Sequence, residues 1–174
     1  MISTTKNEPA WSAPVAVDDI AQTGLHMEIE APAETRAGLA KVAGLRDLPR
    51  LAAAFDLTKQ GNSVHVSGRV SAKVEQTCVV TLEPIESEIE EAVHLVFAPP
   101  GGDAPAKAGG EPTEPLIDGI VDLGAVASEF LLLGIDPYPR KGGAKFMAPP
   151  AVDAGPRPFA ALETLKKRPG HKQS

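Results

Sequence analysis

Residues 63–82 read SVHVSGRVSAKVEQTCVVTL, and the alternation within them decides the fold. Even positions carry Val64, Val66, Gly68, Val70, Ala72, Val74, Gln76, Cys78, Val80 and Leu82. Odd positions carry Ser63, His65, Ser67, Arg69, Ser71, Lys73, Glu75, Thr77, Val79 and Thr81. Successive side chains of a strand point to opposite faces, so this pattern is a half-buried antiparallel strand with one apolar and one wet face. At roughly 20 residues the run exceeds the usual strand of about 5–6. A bend or bulge is therefore expected, at Gly68, where the backbone is least restricted.

The alternation continues on both sides. Leu51, Ala53, Phe55 and Leu57 share a parity before Gly61-Asn62, a turn dipeptide, and Ile85, Ile89, Val93, Leu95 and Phe97 share one after Glu83-Pro84. Three consecutive strands with short connections make an antiparallel meander whose polar face stays wet. Val15 with Val17, and Leu25, Met27 and Ile29, predict two further short strands.

Helices are fewer. Ala33–Gly44 follows Pro32, sets Leu39, Val42 and Ala43 on one face and stops at Gly44. In DLGAVASEFLLLG, Asp122 is the expected cap, and Leu123, Val126, Ala127, Phe130 and Leu131 fall at helical spacing. Gly134 is the expected left-handed terminus before Pro137, and Leu132 with Leu133 widen the apolar arc, predicting packing on more than one side. Residues 98–119 hold five Pro and five Gly in 22 positions and read as a mobile loop. The expected organisation is a flexible N-terminus over 1–10, one α+β domain over 11–139 and a basic tail over 140–174 with a short helix near 158–167. The fold class is a bent antiparallel β-sheet, with barrel-like closure as an alternative, covered by two or three helices.

Composition bounds the chemistry. The chain of 174 residues is 43% hydrophobic, 23% charged and only 4% aromatic, so aliphatic side chains fill the core and aromatic platforms for stacking bases are few. One cysteine excludes an internal disulfide. No apolar run approaches a membrane span, the N-terminus lacks a signal-peptide core, and a cytoplasmic protein is the expectation. The net charge of −6 is uneven: residues 1–139 carry 9 Lys/Arg against 21 Asp/Glu, whereas 140–174 carry 8 against 2. An acidic body with a basic tail occurs in proteins that touch nucleic acid or an acidic partner, and also as plain solubilisation.

Candidate chemistry is sparse. Cys78 is a nucleophile, a metal-site remnant or a small buried side chain, and its apolar parity favours the last. A C-x-x-C zinc pair would need Cys at 81, where Thr81 stands, and His26, His65, His94 and His171 are dispersed, so no metal or cofactor is expected. The run EPIESEIEE reads as a solvated face, and no phosphate-cradling or nucleophile-elbow motif occurs. RNA or partner contact falls to Arg69 and Lys73 on the wet strand face and to Lys166, Lys167 and Arg168 in the tail. DNA is not an expected partner.

The stretch GRVSAKVEQTCVVTLEPIESEIEEAVHLVFAP (68–99), with IVDLGAVASEFLLLGIDPYPRKGGAKF (120–146) and RPFAALETLKK (157–167), resembles the YceD family of large ribosomal RNA subunit accumulation proteins. The marks are Gln76-Thr77-Cys78, Leu82-Glu83-Pro84 and Phe97-Ala98-Pro99, in order across about residues 11–168. Cys78, Leu82 and Pro84 are family-motif structural positions. The resemblance implies a cytoplasmic, bacterial, non-enzymatic factor for the synthesis, processing or stability of 23S ribosomal RNA. Its implied partners are that rRNA or a ribosomal or assembly protein; a protein-binding adaptor without RNA contact is the alternative. Many relatives carry a second Cys three positions after the first, which suggests metal there; Thr81 removes that expectation here.

Overall fold

A computed structural model describes residues 11–100 and 112–146. The chain divides into two compact units, Met1–Ala144 and Lys145–Ser174, and the fold below belongs to the first. The expected N-terminal segment 1–10, the middle of the 98–119 stretch and the expected helix near 158–167, with Lys166, Lys167 and Arg168, lie outside the described residues.

The three long alternating runs form the centre of the unit. β3 (Asp47–Gln60), β4 (Ser63–Thr77) and β5 (Pro84–Ala98) are consecutive antiparallel neighbours. β2 (Leu25–Glu30) pairs antiparallel with β3, and β6 (Thr113–Pro115) pairs parallel with β5, giving the order β2-β3-β4-β5-β6. The sheet is open at both edges, so the architecture is α+β without a closed barrel. β1 (Pro14–Ala16) pairs instead with β7 (Ile120–Asp122) in a separate two-stranded ribbon.

Gly68 does not mark a bulge. The β4 ladder runs unbroken through it to Phe55 on one side and Val93 on the other, and the irregularity lies in β3 between Asp47 and Arg50. Glycine is needed because a Cβ there would lie 2.2 Å from the Ala54 carbonyl oxygen and 2.8 Å from Phe55 Cδ1. The strand is crowded at that point, not irregular. The expected strand run also ends earlier, at Thr77, so Cys78 opens the β4–β5 loop.

The apolar parity builds the core: Leu51, Phe55 and Leu57 of β3, Val64, Val66, Val70 and Val74 of β4 and Val93 of β5 are almost wholly buried. Helix α2 (Leu123–Gly134) covers this face with Leu123, Ala127 and Leu131. Its start follows the sequence. The Asp122 carboxylate accepts from the Gly124 and Ala125 amides, and from Ala13 N–H at 2.8 Å and the Ser12 hydroxyl at 2.7 Å. The same side chain thus caps the helix and anchors the N-terminal strand.

The end of α2 differs from expectation. Gly134 is the last helical residue and not a left-handed cap; a Cβ on it would lie 2.5 Å from Ile89 Cγ2. Leu132 and Leu133 are 43% and 71% exposed, so the helix is covered on one side only among the described residues. α1 (Ala33–Ala43) does stop at a left-handed Gly44 (φ 67°), but it buries Leu39 and Ala40 and leaves Val42 72% exposed. Arg36 ties α1 to its surroundings by donating to the Ala31 and Leu48 carbonyls. Part of the stretch read as a loop, residues 113–115, is β6, followed by a tight turn at Asp118-Gly119 (φ 54° and 66°).

Candidate functional site

The second face of the sheet is the surface the sequence marked for contact. Its side chains fall in rows across the strands: His26, Asp56, Ser67, His94; then Glu28, Ala54, Arg69, Ala92; then Glu30, Ala52, Ser71, Glu90; then Arg50, Lys73, Glu88; and Glu75 opposite Glu86. Ala52 and Ala54 are small, so their rows sink between the charged walls. The result is an open groove of about 480 Å³ lined by Glu28, Glu30, Arg50, Arg69 and Glu90 among others.

Carboxylates outnumber cations on this face, and the two cations singled out from the sequence are already engaged. Arg69 Nη1 donates to Glu90 Oε2 at 3.2 Å, and Lys73 Nζ to Glu86 Oε1 at 2.8 Å. The carboxylate beside Lys73 holds its ammonium above the ordinary lysine range. Exposed, solvent-screened pairs of this kind contribute little to stability, so they set the local charge more than the fold's stability. Glu75 and Glu86 stand directly opposite one another, a like-charge arrangement that is unfavourable and that Lys73 relieves at Glu86. Nearby, His26 Nδ1 meets Asp56 Oδ1 at 2.7 Å, and that carboxylate raises the imidazole above its usual pKa.

The far end of the same hairpin holds the family-motif positions. The loop from Cys78 to Glu83 is closed by the Cys78 amide donating to the Glu83 carbonyl and by the Leu82 amide donating to the Cys78 carbonyl. Leu82 sits at φ 60°, a left-handed conformation that an L side chain adopts at a cost, and is 75% exposed; Pro84 then opens β5. Its side chain gains nothing from burial there.

Cys78 is fully buried, as its parity predicted, but as a hydrogen-bond acceptor in a loop and not as a strand hydrophobe. The amides of Lys141 (3.3 Å) and Thr81 (3.4 Å) both donate to its sulfur. The Lys141 amide first, then the Thr81 hydroxyl and amide, lower the thiol to about 6. Segment 136–141 is tied to the same loop by three more bonds. Val79 N–H donates to Pro139 O, Gln76 Nε2 to Asp136 O at 2.8 Å, and Lys141 Nζ reaches Glu83 at 3.0 Å. That lysine holds the Glu83 carboxyl below the usual carboxylate range. Cys78 and Gln76 therefore fasten the chain leaving α2 to the hairpin tip. Among the described residues the hydrogen bonds to the sulfur come from Lys141 and Thr81, and none comes from an imidazole or carboxylate.

The structure places Arg69 and Lys73 on the groove face and Cys78, Leu82 and Pro84 at the hairpin tip; the groove itself was not anticipated from the sequence. Arg50 lay on the wet parity of β3 and was open to discovery. The partners Pro139 and Lys141 carried no local signal, since Lys141 lies 63 residues from Cys78. Among the described residues no group of three or more His, Cys, Asp or Glu converges to hold a metal. No helix among them is long and apolar enough to cross a membrane.

Comparisons with curated proteins and with solved structures return no match. The family model for the large ribosomal RNA subunit accumulation protein YceD matches residues 66–166, which is more than half of the chain and includes most of the β4–β5 hairpin, the Cys78 loop and α2. The chain belongs to the YceD family.

Proposed function

We propose that this protein is a non-enzymatic factor, working in the cytoplasm, that supports the synthesis, processing or stability of large-subunit ribosomal RNA. The observation that carries the proposal is the family match over residues 66–166. The groove face favours contact through a ribosomal or assembly protein over direct contact with RNA. Phosphate would meet Glu28, Glu30, Glu88 and Glu90 there, and Arg69 and Lys73 would have to leave their carboxylates first. A handful of cations supplies only salt-sensitive, sequence-independent affinity for RNA.

The test is the ratio of large- to small-subunit rRNA in a deletion strain complemented with the full chain. A lowered ratio that the chain restores supports the reading. An unchanged ratio on deletion refutes it. Complementation by the charge-removing pair Arg69→Gln and Lys73→Gln separates the two modes of contact: restoration fits a protein-mediated role, and failure with normal folding points to RNA on this face.

A further inference from the structure

The outer edge of β5 carries the longest stretch of backbone without a strand partner in the described sheet. β4 hydrogen-bonds one side of the strand along its whole length, while β6 covers the other side only at Val96–Ala98. Antiparallel pairing alternates, so one set of β5 residues turns its amides and carbonyls toward β4 and the other set turns them outward. Three backbone hydrogen bonds fix which set is which. Cys78 N–H donates to Glu83 O across the hairpin, while Val96 N–H donates outward to Pro112 O and Ala98 O accepts outward from Leu116 N–H. Counting back by twos, the outward groups belong to Glu86, Glu88, Glu90, Ala92 and His94. All five are exposed, and among the described residues no backbone partner meets this edge.

The same residues place their side chains on the groove face, so the open ladder edge and the acidic row coincide. Carboxylates on an edge can serve simply to keep other strands away. Here they select. A second copy of this edge would bring glutamates against glutamates, and phosphate would meet the same charge, whereas an extended cationic chain would satisfy both the ladder and the opposed Glu75–Glu86 pair.

The geometry points to the β5 edge over residues 84–95 as a docking site for an extended, Lys/Arg-rich segment of a partner protein, which adds as a further strand. This is β-strand addition: main-chain bonds supply affinity, and alternate side chains supply selectivity. Basic side chains at every second position would lie beside Glu86, Glu88 and Glu90, and small apolar ones would fall on the side of Ile89 and Val93. The inference rests on the proposed role at the large subunit only for the partner's setting; the edge chemistry stands apart from it.

The probe is a fluorescent synthetic peptide of roughly ten residues alternating Lys and Val, enough to span a normal strand. Its binding to the full chain is read by polarisation. Expected is saturable binding that a peptide of the same composition interrupted by prolines loses at least tenfold. Ala92→Pro removes one outward amide and leaves the β4 ladder intact, and Glu88→Lys reverses one charge; with circular dichroism unchanged, each should weaken binding about tenfold or more. Should Ala92→Pro disturb the fold, Glu88→Lys and the interrupted peptide still decide. Equal binding of both peptides, no effect of Glu88→Lys, a dimer built on this edge, or preference for a single-stranded RNA oligonucleotide at the same edge would each overturn the inference. None of these results alters the rRNA ratio of the deletion strain, so failure here is distinct from failure of the proposed function.

Discussion

Replacing Gly68 with alanine tests the claim that close packing, not backbone freedom, requires glycine in the middle of β4. The added Cβ would lie 2.2 Å from the Ala54 carbonyl oxygen, 2.8 Å from Phe55 Cδ1 and 3.0 Å from Phe55 Cα. Real Cβ contacts do not fall below 3.0 Å, so the carbonyl must retreat by at least 0.8 Å. It belongs to a central strand flanked on both sides, and the Phe55 ring is fully buried and has no solvent to swing into. Overpacking of this kind costs about 1–3 kcal/mol, and a clash with backbone belongs at the upper end. Stiffening of the unfolded chain returns about 0.4–1 kcal/mol. The net expectation is a loss of roughly 2 kcal/mol, a large share of the 5–15 typical of a domain. In urea, with a slope of about 1–3 kcal/mol per molar, the midpoint should fall by roughly 1 M.

Gly38→Ala is the matched control. Gly38 lies inside α1 with nothing within 4 Å of the new methyl group, so the substitution should stabilise by about 0.5–1 kcal/mol. Opposite shifts for the two variants support the packing account. A Gly68→Ala protein as stable as the parent, at an unchanged slope, would refute it.

Three other outcomes follow from particular contacts. Asp122→Ala removes the helix cap and the two bonds to residues 12 and 13, and should cost about 2 kcal/mol by thermal or urea unfolding, with Asp122→Asn recovering part of it. Because the folded Cys78 thiol ionises near 6 and an unfolded thiol near the ordinary value of about 8.5, thiolate stabilisation is present above the unfolded pKa and is lost as pH falls through 6. Unfolding midpoints of the parent should therefore rise relative to Cys78→Ser between about pH 6 and 8.5. Lys141→Pro, which deletes the donating amide, should flatten that rise, while Lys141→Ala should keep it. Leu133→Lys, at a position 71% exposed, should change stability by no more than about 0.5 kcal/mol; a larger loss would mean that this side of α2 is covered.

Alternation in 47–60, 63–77 and 84–98 was enough to place three strands, their common buried face and the hairpin order, because a two-residue period is a local property that burial on one side imposes directly. The Asp122 cap and the Gly44 stop were legible for the same reason: each satisfies backbone groups within a few residues of itself. Arg69 and Lys73 could likewise be assigned to the wet face. Their engagement with Glu90 and Glu86 depended on register, which sets which charges meet across strands. Tertiary structure alone decided the rest. Gly68 reads in the sequence as freedom and proves in space to be lack of room. Leu132 and Leu133 continue an apolar arc, yet helix α2 meets the sheet on one side only. Cys78 looked like one more buried strand residue, and parity did give its burial. Its sulfur acquired a role only when the fold brought the Lys141 amide across 63 residues to meet it, a contact that no local pattern encodes because it stabilises neither segment by itself.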